Sequence, residues 1–305
     1  MTEQDRLPGT VVKAFGKWYQ VALTGSDRTL LCTPKGLLKR ERSGSDLVAV
    51  GDRVDVIDVG DNEGRIEYVH PRKSVLARLA RKTRDMEQVL VANPDLAMFL
   101  FAARNPDPHP RMLDRFLVLA ESRSLPAVIV VNKTELLEPG DEPVFPEHRA
   151  VYPVYDISVH GGAGIDTVRE LMSGKITVIA GPSGVGKSSL VNAIRPESSQ
   201  AIAEISEATG KGKHTTTAAQ LFPIGPDTFV ADTPGIRALA LQGVAPEKLP
   251  ECFPEFRPHL GDCRFADCSH ISEPGCAIRS AVDDGEIGPG RYGSYVSLRL
   301  GDAPD

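Results

Sequence analysis

Eight residues, Gly181-Pro182-Ser183-Gly184-Val185-Gly186-Lys187-Ser188, constrain this chain more than any other stretch. They read G-x-x-x-x-G-K-[ST], with an apolar run at 175–180 before them and a helix-forming run at 188–194 after. Strand, glycine loop and helix in that order make a phosphate cradle. The glycines let successive backbone N–H groups turn toward an anion, and the helix N-terminus adds partial positive charge. Lys187 is then expected to reach the β- and γ-phosphates, and the Ser188 hydroxyl to ligate Mg²⁺.

From about residue 88 strands alternate with helices. Leu96–Ala102, 127–131, 151–157, 175–180 and 229–231 read as strands of a mostly parallel, doubly wound sheet. Pro153 demotes the third run to the sheet edge. Over 111–121, Met112, Leu113, Phe116, Leu117 and Ala120 fall on one helical face. In such sheets ligands bind at the strands' carboxyl ends, and the motifs sit there. After Val131 comes Asn132-Lys133-Thr134-Glu135, close to the N-K-x-D signature of guanine recognition: an acidic side chain there accepts from guanine N1–H and N2–H. After Ile157, Ser158-Val159 occupies the place where a backbone N–H donates to guanine O6. After Ala231, Asp232-Thr233-Pro234-Gly235 matches D-x-x-G, with Asp232 over Mg²⁺ and the Gly235 N–H at the γ-phosphate. The candidate GTP-binding set therefore comprises Asn132, Lys133, Thr134, Glu135, Ser158, Val159, the loop Gly181, Pro182, Ser183, Gly184, Val185, Gly186, Lys187, Ser188 with Ser189 beside it, Asp232 and Gly235. The candidate Mg²⁺ ligands are Ser188 and Asp232. The order is unusual, because N-K-x-E and the serine motif precede the phosphate loop. That is a circular permutation of the GTPase sheet.

Between the phosphate loop and D-x-x-G lies Gly210-Lys211-Gly212-Lys213-His214-Thr215-Thr216-Thr217, suited to a switch segment in which one of Thr215, Thr216 and Thr217 joins Mg²⁺. Upstream, short alternating runs between residues 8 and 70 are spaced as in a five-stranded barrel of the oligonucleotide-binding kind. Lys35, Lys39, Arg40 and Arg42 are placed in one of its loops. Arg72, Lys73, Arg78, Arg81, Lys82 and Arg84 form a basic connector, read either as a solvated linker or helix face or as an RNA-backbone contact. Near the C-terminus, Cys263, Cys268, His270 and Cys276 form C-x4-C-x-H-x5-C. Three thiolates and one imidazole make a closed tetrahedral set of the structural zinc kind. That region is expected to bury little core of its own and to draw folding energy from the metal. Cys32 and Cys252 are read as plain buried thiols.

At 305 residues, several domains are expected: an all-β barrel over 1–71, a basic linker over 72–87, a permuted α/β GTPase unit over 88–240 and a zinc-binding unit over 241–305. No apolar stretch approaches a bilayer-spanning length, the N-terminus lacks a signal-peptide pattern, and the cysteines suit a reducing compartment, so a cytoplasmic protein without membrane contact is expected. A net charge of −6 leaves nucleic-acid contact to local basic faces.

The barrel, permuted GTPase motifs, G-K-G-K-H-T-T-T, D-T-P-G and the cysteine–histidine spacing together resemble the RsgA/YjeQ family of circularly permuted GTPases, over nearly the whole chain. The resemblance implies an OB-fold, a permuted GTPase domain and a zinc-knuckle-like C-terminal domain. It also implies late maturation of the small ribosomal subunit, contact with its rRNA, GTP hydrolysis to GDP stimulated by that subunit, and one structural Zn²⁺ per monomeric chain with Mg²⁺ bound beside GTP. Glu135 stands where the family has Asp, and Val159 where it has Ala. Ile236 follows D-x-x-G and cannot hydrogen-bond water, so slow intrinsic hydrolysis is expected, with His214 as the candidate catalytic contact to the attacking water. Two rival readings are a nucleotide-gated RNA-binding module with negligible turnover and a metabolic ATPase or kinase. The guanine motif opposes the second.

Overall fold

The computed structural model describes residues 6–36, 47–79, 87–195, 219–232 and 244–301. Its first part is a closed five-stranded barrel. Strands β1 (Leu7–Phe15), β2 (Trp18–Leu23), β3 (Thr29–Pro34), β4 (Arg53–Gly60) and β5 (Glu63–Val69) pair in the order β1-β2-β3-β5-β4, and β4 returns to β1. Alternation puts Val11, Val21, Leu30, Cys32, Val54, Val56 and Ile66 inside, all essentially inaccessible, and burial pushes the Cys32 thiol up to about 12. Lys35 is not a free loop cation, since its Nζ lies 2.6 Å from Glu67. Lys39, Arg40 and Arg42 lie outside the described residues.

The stretch after the barrel is structured. β6 (Val75–Leu79) and β7 (Glu87–Ala92) pair antiparallel, where the basic connector was expected to be a linker or a helix face. Arg72 is committed to the protein: its Nε and Nη2 meet the two oxygens of the fully buried Asp52 at 2.7 and 2.9 Å. A guanidinium fork matches a carboxylate bidentately, and a buried carboxylate requires such a partner. Arg81, Lys82 and Arg84 lie outside the described residues.

The central sheet runs β10-β9-β8-β11-β13-β12, from β8 (Leu96–Ala102), β9 (Ala127–Asn132), β10 (Val154–Asp156), β11 (Ile176–Ala180), β12 (Gln220–Gly225) and β13 (Thr228–Asp232). β10, β9, β8, β11 and β13 are mutually parallel, and β12 is antiparallel to β13. All seven residues of β8 are buried, as a parallel strand covered on both faces must be. Among the described residues β10 is the edge strand, pairing with β9 alone, in line with Pro153. Helices α1 (Pro110–Ser122), α2 (Pro146–Arg149), α3 (Ile165–Met172) and α4 (Lys187–Ile194) complete the layers. Barrel and sheet are continuous, because β1 pairs antiparallel with β12 at Lys13 and Gln220. Val12 joins the same buried cluster as Leu221 and Phe229.

The C-terminal unit holds short 3-10 turns between Pro246 and His259, then α5 (Ala277–Asp283) and α6 (Pro289–Leu300). It has a larger core than its length suggested. Phe253, Phe256, Ile278, Ile287 and Tyr295 are fully buried, with Phe253, Phe256 and Tyr295 ring centroids 5.0–5.5 Å apart. Val118 of α1 belongs to that cluster. The one-sided apolar face read for α1 is therefore incomplete: Asp114 and Val118 are buried as well, because the C-terminal unit covers the other side.

Candidate nucleotide and metal sites

The glycine loop leaves β11 and enters α4, so the unpaired N–H groups of that helix's first turn face the loop. The backbone approaches leave no room for side chains. A Cβ on Gly181 would sit 1.9 Å from the Leu100 carbonyl oxygen. One on Gly186, whose φ is +98°, would sit 2.4 Å from Asn132 Nδ2. Lys187 arches over the loop, its Nζ donating to the carbonyls of Gly181 at 3.0 Å and Pro182 at 2.5 Å. Ser188 and Ser189 follow in the first turn of α4.

Asn132 ends β9 and is buried. Its Nδ2 donates to the Val185 carbonyl at 2.8 Å, and its Oδ1 accepts the Val159 N–H at 3.0 Å. One carboxamide therefore joins three segments. The Val159 N–H, expected to face a base, is directed at Asn132. Thr134 closes the arrangement, with its N–H at 3.2 Å and its hydroxyl at 3.0 Å from the Ile157 carbonyl. The Ser158 hydroxyl accepts from Gly161 N–H at 2.8 Å and hydrogen-bonds Glu135, which holds that exposed carboxyl below its ordinary range and keeps it an acceptor. Lys133, in the left-handed region at φ 63°, donates to the Asn105 carbonyl. Pro106 Cδ lies 3.8 Å from where a Gly184 Cβ would be. The β8–α1 loop is thus a wall of the site that the motifs did not reveal. Its only sequence signal is an Asn-Pro turn after a buried strand.

Asp232 ends β13, beside β11 and one strand from the loop. Gly235, His214, Thr215, Thr216 and Thr217 lie outside the described residues.

Cys263, Cys268, His270 and Cys276 converge, their ligand atoms all within 4.8 Å of one another. His270 Nδ1 is 3.5 Å from the sulfurs of Cys263 and Cys276, which are 4.0 Å apart. Tetrahedral zinc with ordinary bond lengths requires about 3.6 Å between sulfur and nitrogen and about 3.8 Å between sulfurs. The separations among Cys263, His270 and Cys276 therefore fit such an ion, and Cys268 lies within reach of the same point. The surrounding shell is ordered too. Tyr292 and Tyr295 hydroxyls donate to the carbonyls of His270 at 2.8 Å and Ser269 at 2.7 Å, and the Ala277 N–H points at Cys263 Sγ at 3.3 Å. Glu273 accepts the N–H groups of Ser269, Ile271 and Ser272 at 2.7, 3.2 and 3.1 Å, and the Ser269 hydroxyl, followed by backbone N–H donors, holds its carboxyl far below the usual range.

A family model, RsgA GTPase, matches residues 69–242. A protein of Gemmatimonas aurantiaca named small ribosomal subunit biogenesis GTPase RsgA is 45% identical over 95% of this chain and 96% of its own. The protein of that name from Chlorobaculum parvum is 38% identical, over 96% of this chain and 97% of its own. The crystal structure of YjeQ from Thermotoga maritima superposes with a TM-score of 0.80 at 33% identity, covering 97% of this chain and 98% of that one. YloQ, described as a circularly permuted GTPase, gives 0.76 at 29% identity, covering 100% and 99%.

Proposed function

The chain belongs to the RsgA GTPase family, and we propose that it binds the small ribosomal subunit, assists its late maturation and hydrolyses GTP to GDP and phosphate when that subunit stimulates it. The observation that carries the nucleotide part is the position of Asn132, bonded at once to the glycine loop and to Val159. Phosphate and base determinants thereby share one wall, as a single nucleotide requires.

In this reading the loop 181–188 holds the phosphates and Lys187 moves from its carbonyl partners to the β- and γ-oxygens. Glu135, oriented by Ser158, reads the guanine edge; the Val159 N–H is shared between Asn132 and the base. Ser188, Asp232 and one of Thr215–Thr217 would hold Mg²⁺, which would supply neutralising charge at the phosphates. His214 contacts the attacking water once the subunit orders its segment, since Ile236 offers no hydrogen bond there. Cys263, Cys268, His270 and Cys276 would hold Zn²⁺ as a structural ion, a reading supported by their convergence. The chain works as a monomer, in the cytoplasm, on rRNA; among the described residues no helix is long and apolar enough to cross a membrane. The division into 1–71, 72–87, 88–240 and 241–305 belongs to the same reading.

The test is phosphate release from GTP, titrated with purified small ribosomal subunits. Turnover should rise with subunit concentration, and His214→Ala should lose that rise while keeping nucleotide affinity. Turnover that stays negligible at saturating subunit would instead make the chain a nucleotide-gated RNA-binding module.

A further inference from the structure

Arg291, near the start of α6, has a side chain only 1% exposed. An arginine that deep must be fully paired. Its Nε and Nη2 grip Glu255 at 2.6 and 3.0 Å, its Nη1 donates to Asp114 of α1, and its guanidinium lies 4.7 Å over the Phe253 ring. Asp114 also meets His148 Nε2 of α2 at 2.7 Å. The neighbouring Glu147 accepts the backbone N–H groups of Gly290 at 3.0 Å and Arg291 at 2.8 Å. The first turn of α6 is therefore fastened to both α1 and α2.

Both helices continue in sequence from segments that line the nucleotide site. α1 begins directly after the loop whose Asn105 carbonyl receives Lys133 and whose Pro106 lies by Gly184. α2 closes the segment that leaves the turn Thr134–Leu136. Between loop and segment lies a cavity of about 470 Å³, lined by Arg104, Pro108, Leu137, Phe145, Glu147 and Gly290 among others. Across that gap Arg104 Nη2 reaches Asp141 at 2.8 Å, and Phe145 packs edge-on against Phe101 with ring centroids 5.3 Å apart. The grip of α6 on Asp114 and Glu147 adds a tether from outside to the spacing that those contacts set.

We propose that Arg291 and Glu147 are positioning residues for the guanine end of the site: through them the seating of the C-terminal metal-binding unit sets nucleotide affinity and selectivity. The coupling is reciprocal, so guanine nucleotide tightens the seating of α6 in turn. The inference rests on reading the pocket around Asn132 and Glu135 as that of a guanine nucleotide.

The test uses the full chain and displacement of a fluorescent GDP analogue by GDP and by ADP. Two variants serve: Glu147→Ala, and the double variant Asp114→Asn/Arg291→Met, which removes the buried arginine together with the charge of one of its two carboxylate partners. GDP affinity should fall about tenfold in each, within the usual span of coupling between sites, while ADP affinity, which reports the phosphate loop, stays within about twofold. Glu147→Gln, which retains one acceptor oxygen, should recover part of the loss. A folded Glu147→Ala with wild-type GDP affinity overturns the inference, and so does an equal fall for GDP and ADP, the mark of a merely structural role. Should the double variant not fold, Glu147→Ala decides alone. If the wild-type chain fails to prefer GDP over ADP, the guanine reading itself falls, a distinct result.

Discussion

The Asn132 carboxamide donates to the carbonyl of Val185, 53 positions later in the chain, at 2.8 Å. Its other end takes the Val159 N–H, so a side chain 2% exposed has both ends occupied. Asn132→Ala strands the carbonyl of the buried Val185, at about 1–3 kcal/mol, and the half-buried Val159 N–H at less. GDP affinity should drop by about one to two orders of magnitude, read by fluorescent-nucleotide titration. A loss under about threefold would show that the bridge does not shape the site.

Gly186 lies against the same carboxamide. Gly186→Ala combines a left-handed backbone at φ +98° with a Cβ 2.4 Å from Asn132 Nδ2. Strain of this kind costs about 1–3 kcal/mol. The variant should melt several degrees lower than wild type, and GDP should raise its melting temperature much less than it raises that of the parent. Calorimetry with and without GDP checks both.

Acid should loosen the joint between α1 and the C-terminal unit. Burial alone would raise the Asp114 carboxyl, but the hydrogen bond from His148 and the charge of Arg291 outweigh it, and the net direction is down. A carboxyl whose folded value is depressed stabilises fully above its unfolded value, about 4, and that contribution is withdrawn as pH falls from there through the folded value. A plot of melting temperature against pH should therefore show an acid limb that is shallower in Asp114→Asn/Arg291→Met. Parallel limbs would assign the acid sensitivity to other carboxyls.

Stripping the metal should act on α6 before it acts on the sheet. Tyr292 and Tyr295 hold the ligand loop through the carbonyls of His270 and Ser269. A chelator, or Cys268→Ser, should raise amide exchange across 263–300 by an order of magnitude or more, as expected when metal binding supplies folding energy. The barrel amides should be unaffected. Equal protection with and without chelator would mean that the aromatic core of Phe253, Phe256 and Tyr295 suffices by itself.

Much of the architecture was legible because short-range patterns carry it. Alternation marked the five barrel strands, and Pro153 marked the edge strand. The glycine loop announced both β11 and α4, and the cysteine–histidine spacing brought its four donors together. What stayed hidden depends on distant partners. Arg291 reads as a surface cation until Asp114, 177 positions away, and Glu255, 36 away, neutralise it. Arg72 read as a solvated linker cation or an RNA contact because nothing near it in sequence announces the buried Asp52. The β6–β7 hairpin was obscured by the basic residues at 78–84, which outweighed the short alternation on either side. The second covered side of α1 could not be read before the C-terminal unit was seen to lie on it.

The seam between β1 and β12 carries a consequence for any attempt to divide the protein. A fragment beginning after the barrel would leave β12 unpaired at Gln220 and the neighbours of Val12 unsheathed. Naked margins of that kind recruit other chains. The N-terminal strands thus act as a guard on the catalytic half, and a trimmed GTPase would tend to clump in solution.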